Sequence, residues 1–485
     1  MINPRAELFR WGPIGGKPVY LDSFNQAISS FPDLYKTAGW PAKISWPDMI
    51  ANYKDCKILY IIEQQGMMCG LPFFTDYLSD EKCAKEKYNE WRRAAKKIEE
   101  EADKVNRGLS GKPDSLLAKD FDRFYNLAID LWHKEFVAEL SNYSGGPYLR
   151  EKVFNYFKDG AVSVFEKLTA PEYQSIFQKE ELELLQIKLC KGAKEQNDRL
   201  QKHQQEYYWL HNSYSGTEIL PLSYFKERLD KVTVSEAKAK IEKIISYPEK
   251  LRDEKKAIIE KYNVPAEIIA MAETLCFTTS WQDQQKKFTL LMDQIITVYL
   301  EELARRKKLS FSYLCFYTLS EIKELICLGK TADVAARKES CAVYYKENGG
   351  LSWILGDEAK ALLGPFMDLD TTEKTAQLKG LLVSLGKGKN IRAKVKILRT
   401  PKEIGKLEKG EILVAPMTSP EYINAMRKAS AIVTDVGGIT SHAAIIAREL
   451  NIPCIVNTKV ATKILCDGDL VEIDIKLAIV KVLNT

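Results

Sequence analysis

The sequence predicts a multidomain α+β protein: a mainly α-helical N-terminal region followed by a smaller C-terminal domain built on short strands. Three observations carry this. The chain has 485 residues, more than one hydrophobic core ordinarily serves, so about two to four domains are expected. From about residue 81 to 340, apolar residues recur at three- and four-residue spacing over long stretches, as on amphipathic helices. Beyond residue 378, short runs rich in Val and Ile, set off by Gly, Asp and Pro, replace the helices.

Residues 1–80 read as a mixed segment. Gly, Pro and aromatic residues are frequent there, and Lys57–Ile62 is a strand candidate. Helical spacing then predicts helices over 81–107, 115–142, 172–211, 234–262 and 280–307, packed as an antiparallel bundle. Pro113, Pro147, Pro171, Pro221 and Pro265 are expected between these helices or at their starts, where the missing N–H matters least. Two β-prone runs around Asn348-Gly349 predict a hairpin over 341–355, which closes a helical domain of residues 81–365. The polar stretch 366–378 reads as a linker, and 379–485 as the C-terminal domain.

Composition excludes several function classes. The 71 basic and 66 acidic residues leave a net charge of +5, spread in alternating signs along the helices. That mixed surface does not predict nucleic-acid binding, which calls for basic residues gathered on one face. No N-terminal apolar run has the length of a signal peptide, and no window reaches the ~18 apolar residues of a membrane span. Ten cysteines are scattered without a C-x-x-C pair, so a reducing, cytoplasmic location and no metal site are expected. Cys69, Cys190, Cys276, Cys315 and Cys327 read as small buried hydrophobes.

The segment that carries chemistry runs from Thr434 to Leu450, TDVGGITSHAAIIAREL. Ala431-Ile432-Val433 is a short buried strand, and Gly437-Gly438 permits a turn that side chains would obstruct. Thr440 or Ser441 caps a helix whose Ala-rich first turn starts at His442. His442, one of only four histidines, therefore sits at a helix N-terminus, where free amides and the helix dipole favour a phosphate. A neutral imidazole there is a competent nucleophile.

The longer pattern around it resembles the mobile phosphohistidine domain of the phosphoenolpyruvate-utilising enzymes. That group includes phosphoenolpyruvate synthase, pyruvate phosphate dikinase and rifampicin phosphotransferase. The resemblance covers residues 380–480 and includes Gly386-Lys387-Gly388, Met417-Thr418-Ser419-Pro420, Gly437 to Ala444, Arg448-Glu449-Leu450, Ile452-Pro453 and Asp467-Gly468-Asp469. It implies a swivelling β/β/α domain in which His442 is transiently phosphorylated. Gly437, Gly438, Thr440, Ser441, Arg448 and Thr418 are the candidates for contacting the phosphoryl group. Asn457 stands where a glycine is common in the family, and Cys454 replaces a small apolar residue.

Relatives of this type also carry an ATP-grasp domain or a (β/α)8 barrel. Neither is read in these residues, because the first 340 are dominated by charged helices and the chain ends soon after Val480. The expectation is a phosphotransferase component with no cofactor bound directly. ATP and Mg²⁺ would act through a separate ATP-grasp protein, and a small-molecule acceptor would receive the group. The alternative is a non-catalytic regulatory or binding protein that uses the domain as an interaction module. In the helical region, His203, Tyr207, Tyr208, Trp209 and His211 read mainly as core aromatics with wet polar tips, and secondarily as a pocket lining.

Overall fold

The computed structural model describes residues 8–37, 49–54, 57–63, 68, 70–157, 160–339, 341–345, 351–367, 377–387, 390–418, 422–438, 441–475 and 477–483. Near the N-terminus, β1 (Leu8–Gly15), helix α1 (Pro18–Thr37), β2 (Met49–Lys54) and β3 (Lys57–Glu63) follow one another. The hairpin strands β4 (Cys341–Tyr345) and β5 (Leu351–Leu355) pair antiparallel from Cys341↔Leu355 to Tyr345↔Leu351; residues 346–350 lie outside the described residues. β2 pairs with β4, giving one antiparallel sheet in the order β1-β3-β2-β4-β5. The long helices are thus inserted between two strands of one sheet, a pairing no local sequence pattern announced.

The inserted helices are α2 (Glu81–Asn106), α3 (Asp114–Tyr156), α4 (Ala161–Thr169), α5 (Ile176–Lys188), α6 (Ala193–Tyr207) and α7 (Leu222–Asp230). They continue with α8 (Val234–Tyr262), α9 (Ala266–Lys307), α10 (Phe311–Leu314), α11 (Leu319–Leu328) and α12 (Ala335–Glu339). Ser175, Thr233 and Thr318 start α5, α8 and α11 with reciprocal capping boxes. The expected helix over 172–211 is broken at Leu189–Gly192, where Gly192 begins α6 in extended backbone. Pro147 lies inside α3 rather than between helices, and Pro248 lies inside α8, within the expected helix over 234–262. α3 runs through Gly145-Gly146-Pro147 because tertiary packing holds it on both sides of the break. A Cβ at Gly145 would sit 2.3 Å from the Phe74 ring, so glycine is what lets that aromatic seat against the helix.

α3 and α9, 43 and 42 residues long, form the spine of the bundle. The core between them and α2 holds the fully buried Trp91, Phe121, Phe124, Trp281 and Tyr299. No described helix is long and apolar enough to cross a membrane. Of the cysteines expected to be buried, Cys315 is buried and Cys276 half-buried, whereas Cys327 is exposed and Cys190 half-buried. Cys327 sits beside the exposed Leu328 on the outer face of α11, away from the apolar stripe that faces α3. Cys69 lies outside the described residues.

Helix α13 (Gly356–Met367) follows the hairpin, and residues 368–376 of the expected linker lie outside the described residues. The C-terminal strands are β6 (Gln377–Lys379), β7 (Leu381–Leu385), β8 (Ile391–Ile397), β9 (Ile412–Ala415), β10 (Ala431–Thr434), β11 (Pro453–Val456), β12 (Leu470–Asp474) and β13 (Ile479–Val482). They form one mixed sheet in the order β6-β13-β12-β8-β9-β10-β11-β7. The central β8-β9-β10-β11 run is parallel, and its buried strands read as near-continuous apolar runs. Helices α14 (Ile423–Met426) and α15 (His442–Leu450) cover one face, and α16 (Ala461–Ile464) the other. The chain is therefore a multidomain α+β protein, helical first and β-rich at the C-terminus.

The α15 face is not open. Its apolar residues Ala443, Ala444 and Ile446 belong to the same buried cluster as Leu149, Val164, Phe165 and Leu275 of the helical region. Glu166 on α4 accepts the Leu385 N–H at 3.2 Å, and Arg427 reaches Glu181 on α5 at 3.5 Å. The C-terminal domain is docked on the helices through the surface that carries His442.

Candidate functional site

The site begins where β10 ends. Thr458 donates both its N–H and its hydroxyl to the Thr434 carbonyl, at 3.0 and 2.9 Å, and the Lys459 N–H reaches the Asp435 carbonyl at 2.8 Å. The buried Asp435 carboxylate accepts the Thr462 N–H at 2.9 Å and the Thr462 hydroxyl as well. These bonds fix the strand end, so the chain can leave it in one direction only.

Gly437 then adopts φ +138°, a conformation open mainly to glycine, and a Cβ there would press to 3.1 Å from Ser441 Oγ. A Cβ at Gly438 would meet nothing within 4 Å, so the fold itself does not require glycine at that position. Ile439 and the candidate Thr440 lie outside the described residues. Ser441 is the N-cap of α15, and its hydroxyl accepts the Ala444 N–H at 3.3 Å. His442 is the first residue of the helix, as its sequence position suggested.

The buried Thr418, on the loop after β9, places Oγ1 3.0 Å from His442 Nδ1. The other ring nitrogen, Nε2, is buried and has no hydrogen-bond partner among the described residues. The Lys286 ammonium, on α9 of the helical region, acts on the ring through its charge. Burial, reinforced by Lys286, pushes the imidazole down to about 3, so the ring is neutral at physiological pH. Lys286 is itself paired at 2.9 Å with the buried Asp283, whose other oxygen accepts the Ile176 N–H at 2.9 Å at the start of α5. Glu449, at the end of α15, is pushed up to about 7 by burial and by Asp283 and Glu181 across the junction.

Arg448 is not brought to this cluster. It lies six residues beyond His442, about 9 Å along the helix axis. Its Nε donates to the Val383 carbonyl at 2.8 Å, in a cleft of about 250 Å³ shared with Glu166 and Arg150. Helical geometry separates the two, and the fold uses Arg448 to tie α15 to β7. Sequence reasoning missed Lys286 and Asp283, which lie far from the motif and converge on it only through docking.

The aromatic stretch ending α6 is packed core. His203 is held by Glu180 at 3.0 Å and Tyr207 donates to Glu183 at 3.0 Å, while Trp209 is fully buried. His211 meets the Tyr224 hydroxyl at 3.0 Å. No group of three or more potential metal ligands is assembled among the described residues.

Residues 407–476 match the family model of the PEP-utilising enzyme, mobile domain. The chain carries the mobile domain of the phosphoenolpyruvate-utilising enzymes. A probable phosphoenolpyruvate synthase of Archaeoglobus fulgidus is 38% identical over 202 residues, covering 39% of this chain and 25% of the relative. The phosphoenolpyruvate synthase of Pyrococcus furiosus is 40% identical over 131 residues, 27% of this chain and 16% of that protein. An uncharacterized phosphotransferase of Bacillus subtilis is 48% identical over 80 residues, 16% of this chain and 10% of the relative. The matched segments thus span a quarter or less of the length of these relatives.

Proposed function

We propose that this protein is a phosphotransferase component in which His442 Nε2 carries a phosphoryl group between a donor site and an acceptor. The observation that supports it best is the state of the imidazole: neutral, oriented through Nδ1 by Thr418, and left with an Nε2 that has no partner among the described residues, at a helix N-terminus. With Nδ1–H donating to Thr418, the nucleophilic lone pair stands on Nε2, and the Lys286 ammonium helps keep the ring neutral. Attack forms the N–P bond as the donor P–O bond breaks. In the second step an acceptor oxygen takes the phosphorus, and the N–P electron pair returns to Nε2. Ser441, Gly437 and Gly438 shape the turn on which the phosphoryl group sits. Thr440 is proposed to contact it, and free amides of the first helical turn hold its oxygens.

The buried Nε2 supports a moving carrier. An atom with no water-accessible surface is closed to a donor on another protein, so charging requires the domain to leave its docked position. The donor, on this reading, is a separate ATP-grasp protein in the cytoplasm, which holds ATP and Mg²⁺; this chain binds neither directly. The relatives matched here extend far beyond the matched segment, in keeping with a donor site outside it.

The test is incubation with labelled ATP and candidate ATP-grasp proteins, or with labelled phosphoenolpyruvate, followed by mapping of acid-labile, base-stable phosphate. Label on His442 that is discharged to a small molecule supports the proposal. Label that is stable and only alters binding to another protein favours the regulatory reading instead.

A further inference from the structure

The cleft that holds Arg448 is formed by both domains together. The helical region contributes Arg150 and Phe154, one turn apart on α3, and Glu166 on α4. The C-terminal domain contributes Lys379 at the end of β6, Val383 on β7 and Arg448 on α15. Val383 is buried and Lys379 exposed, so the cleft runs inward from a cationic mouth. Its volume of about 250 Å³ is roughly eight times the share of liquid volume of one water. That is room for a phosphate group carrying a few carbons.

The charge around this volume is unbalanced. Arg150, Lys379 and Arg448 are three cations, and Glu166 is the one carboxylate among the described lining residues. Glu166 is already engaged with the Leu385 N–H at 3.2 Å. Arg150 lies over the Phe154 ring, 4.2 Å from its centre, and Arg448 donates Nε to the Val383 carbonyl, so both guanidinium groups are held in position. Two other half-buried arginines show the contrast. Burial works downward on Arg228 and Arg337, yet each forks onto a carboxylate, Glu180 and Glu321, that raises it above the usual guanidinium range. At Arg150 and Arg448 burial prevails and lowers both. No charged group among the described residues offsets it at Arg150, and Glu166 offsets it only in part at Arg448. Gathering like charges around one partly buried hollow is unfavourable, and an anion seated there reverses the sign of the effect.

We infer that this cleft binds a small phosphate dianion, free or esterified, and that its occupation locks the C-terminal domain in the docked position. Three positive charges against one negative leave an excess of two, which matches a phosphate monoester of about −1.5 to −2 near pH 7. A phosphate also gathers its oxygens on one centre, where guanidinium groups from two sides can each take a pair of them. Arg150 belongs to one domain and Lys379 and Arg448 to the other, so the anion binds the docked arrangement and not the separated one. It therefore stabilises docking by mass action. Docking is also what buries His442 Nε2, so the bound anion holds the carrier away from its donor. Binding needs only the cleft; its effect on charging rests on the proposed function.

The experiment is calorimetric titration of the full chain at fixed ionic strength with inorganic phosphate and glycerol 3-phosphate, with malonate and glycerol as controls. At least one phosphate compound should bind about tenfold or more tightly than either control. Equal binding of the two marks a site for the free ion, and preference for the ester marks one for a phosphorylated small molecule. Lys379→Gln and Arg150→Gln should each weaken binding about tenfold, while circular dichroism and thermal unfolding stay native. Glu166→Gln keeps an acceptor for the Leu385 N–H, removes the negative charge, and should tighten binding about threefold. His442→Gln should leave binding unchanged, so a failed phosphorylation assay and a failed binding assay remain separate results. Where His442 can be charged, the phosphate compound should slow its labelling in the native chain and not in Lys379→Gln. No preference for phosphate over malonate and glycerol, native binding by both Lys379→Gln and Arg150→Gln, or slowing that persists in Lys379→Gln overturns the inference.

Discussion

The Thr418 hydroxyl lies 3.0 Å from His442 Nδ1, so a loop after one strand sets the orientation of an imidazole on a helix 24 residues later. Replacing Thr418 by Val keeps the shape and removes the hydrogen bond. Phosphorylation of His442 should slow about tenfold or more, as is usual when the group orienting a reactive histidine is lost. Thr418→Ser should retain most of the rate. Initial rates of label incorporation, with thermal unfolding as a control for stability, check this.

Lys286 acts on the carrier from the helical region only in the docked position. Lys286→Met should leave charging by the donor within about twofold of native, because charging takes place undocked. Discharge to the acceptor should fall by at least about tenfold, the size expected when one charge positioned on a phosphoryl group is removed. Single-turnover measurements of each half-reaction separate the two effects, and equal loss in both would contradict the assignment.

The two glycines of the turn should differ. Gly437→Ala forces a Cβ into a φ of +138° and against Ser441, and should cost on the order of 1–3 kcal/mol of stability. Gly438→Ala meets open space and should change stability by less than about 0.5 kcal/mol. Urea unfolding of both variants tests the contrast.

Docking should depend on pH through His442. Its imidazole is pushed down to about 3 when docked, whereas a free histidine titrates near 6.5. The docked state therefore holds its full advantage above about pH 6.5 and loses it as pH falls, by about 2 kcal/mol at pH 5. Glu449 acts in the opposite sense. Pushed up to about 7, it favours the docked state at low pH and loses that contribution as pH rises from about 4.5 through 7. In a Glu449→Gln background the acid-induced release should stand alone, and His442→Gln should abolish it. Small-angle scattering between pH 5 and 8 reads the change in compactness.

Glu139 gives a stability prediction independent of function. Burial raises its carboxyl to about 7, so the folded state holds a proton that the unfolded chain releases near 4.5. Stability is lost as pH rises between those values. Glu139→Gln should remove that dependence and stabilise the protein at pH 8 by on the order of 2 kcal/mol, measured by urea unfolding at pH 5 and 8.

The site motif was legible because its constraints are local. A glycine turn, a serine cap and an alanine-rich first turn act over fewer than ten residues, and the structure places His442, Ser441 and Gly437 as that spacing implies. The long helices were legible through their apolar periodicity, although Pro147 and Pro248 were absorbed into helices by packing that no propensity scale contains. What the sequence did not announce is non-local. The β2–β4 pairing joins residues near 50 to residues near 343, and the helices between them hide it. Lys286 reaches His442 only because one whole domain docks on another. Arg448 looked equivalent to Ser441 in the motif, yet six residues of helix carry it to the other end of α15.

The central claim is that His442 Nε2 is the phosphoryl carrier. Its most direct test is phosphorus NMR of the intact chain after reaction with ATP and an ATP-grasp partner, or with phosphoenolpyruvate. The account predicts one phosphohistidine signal of the Nε2 isomer, absent in His442→Gln and lost on adding the acceptor. A signal from the Nδ1 isomer, a phosphate on any other residue, or no phosphohistidine with either donor would contradict it.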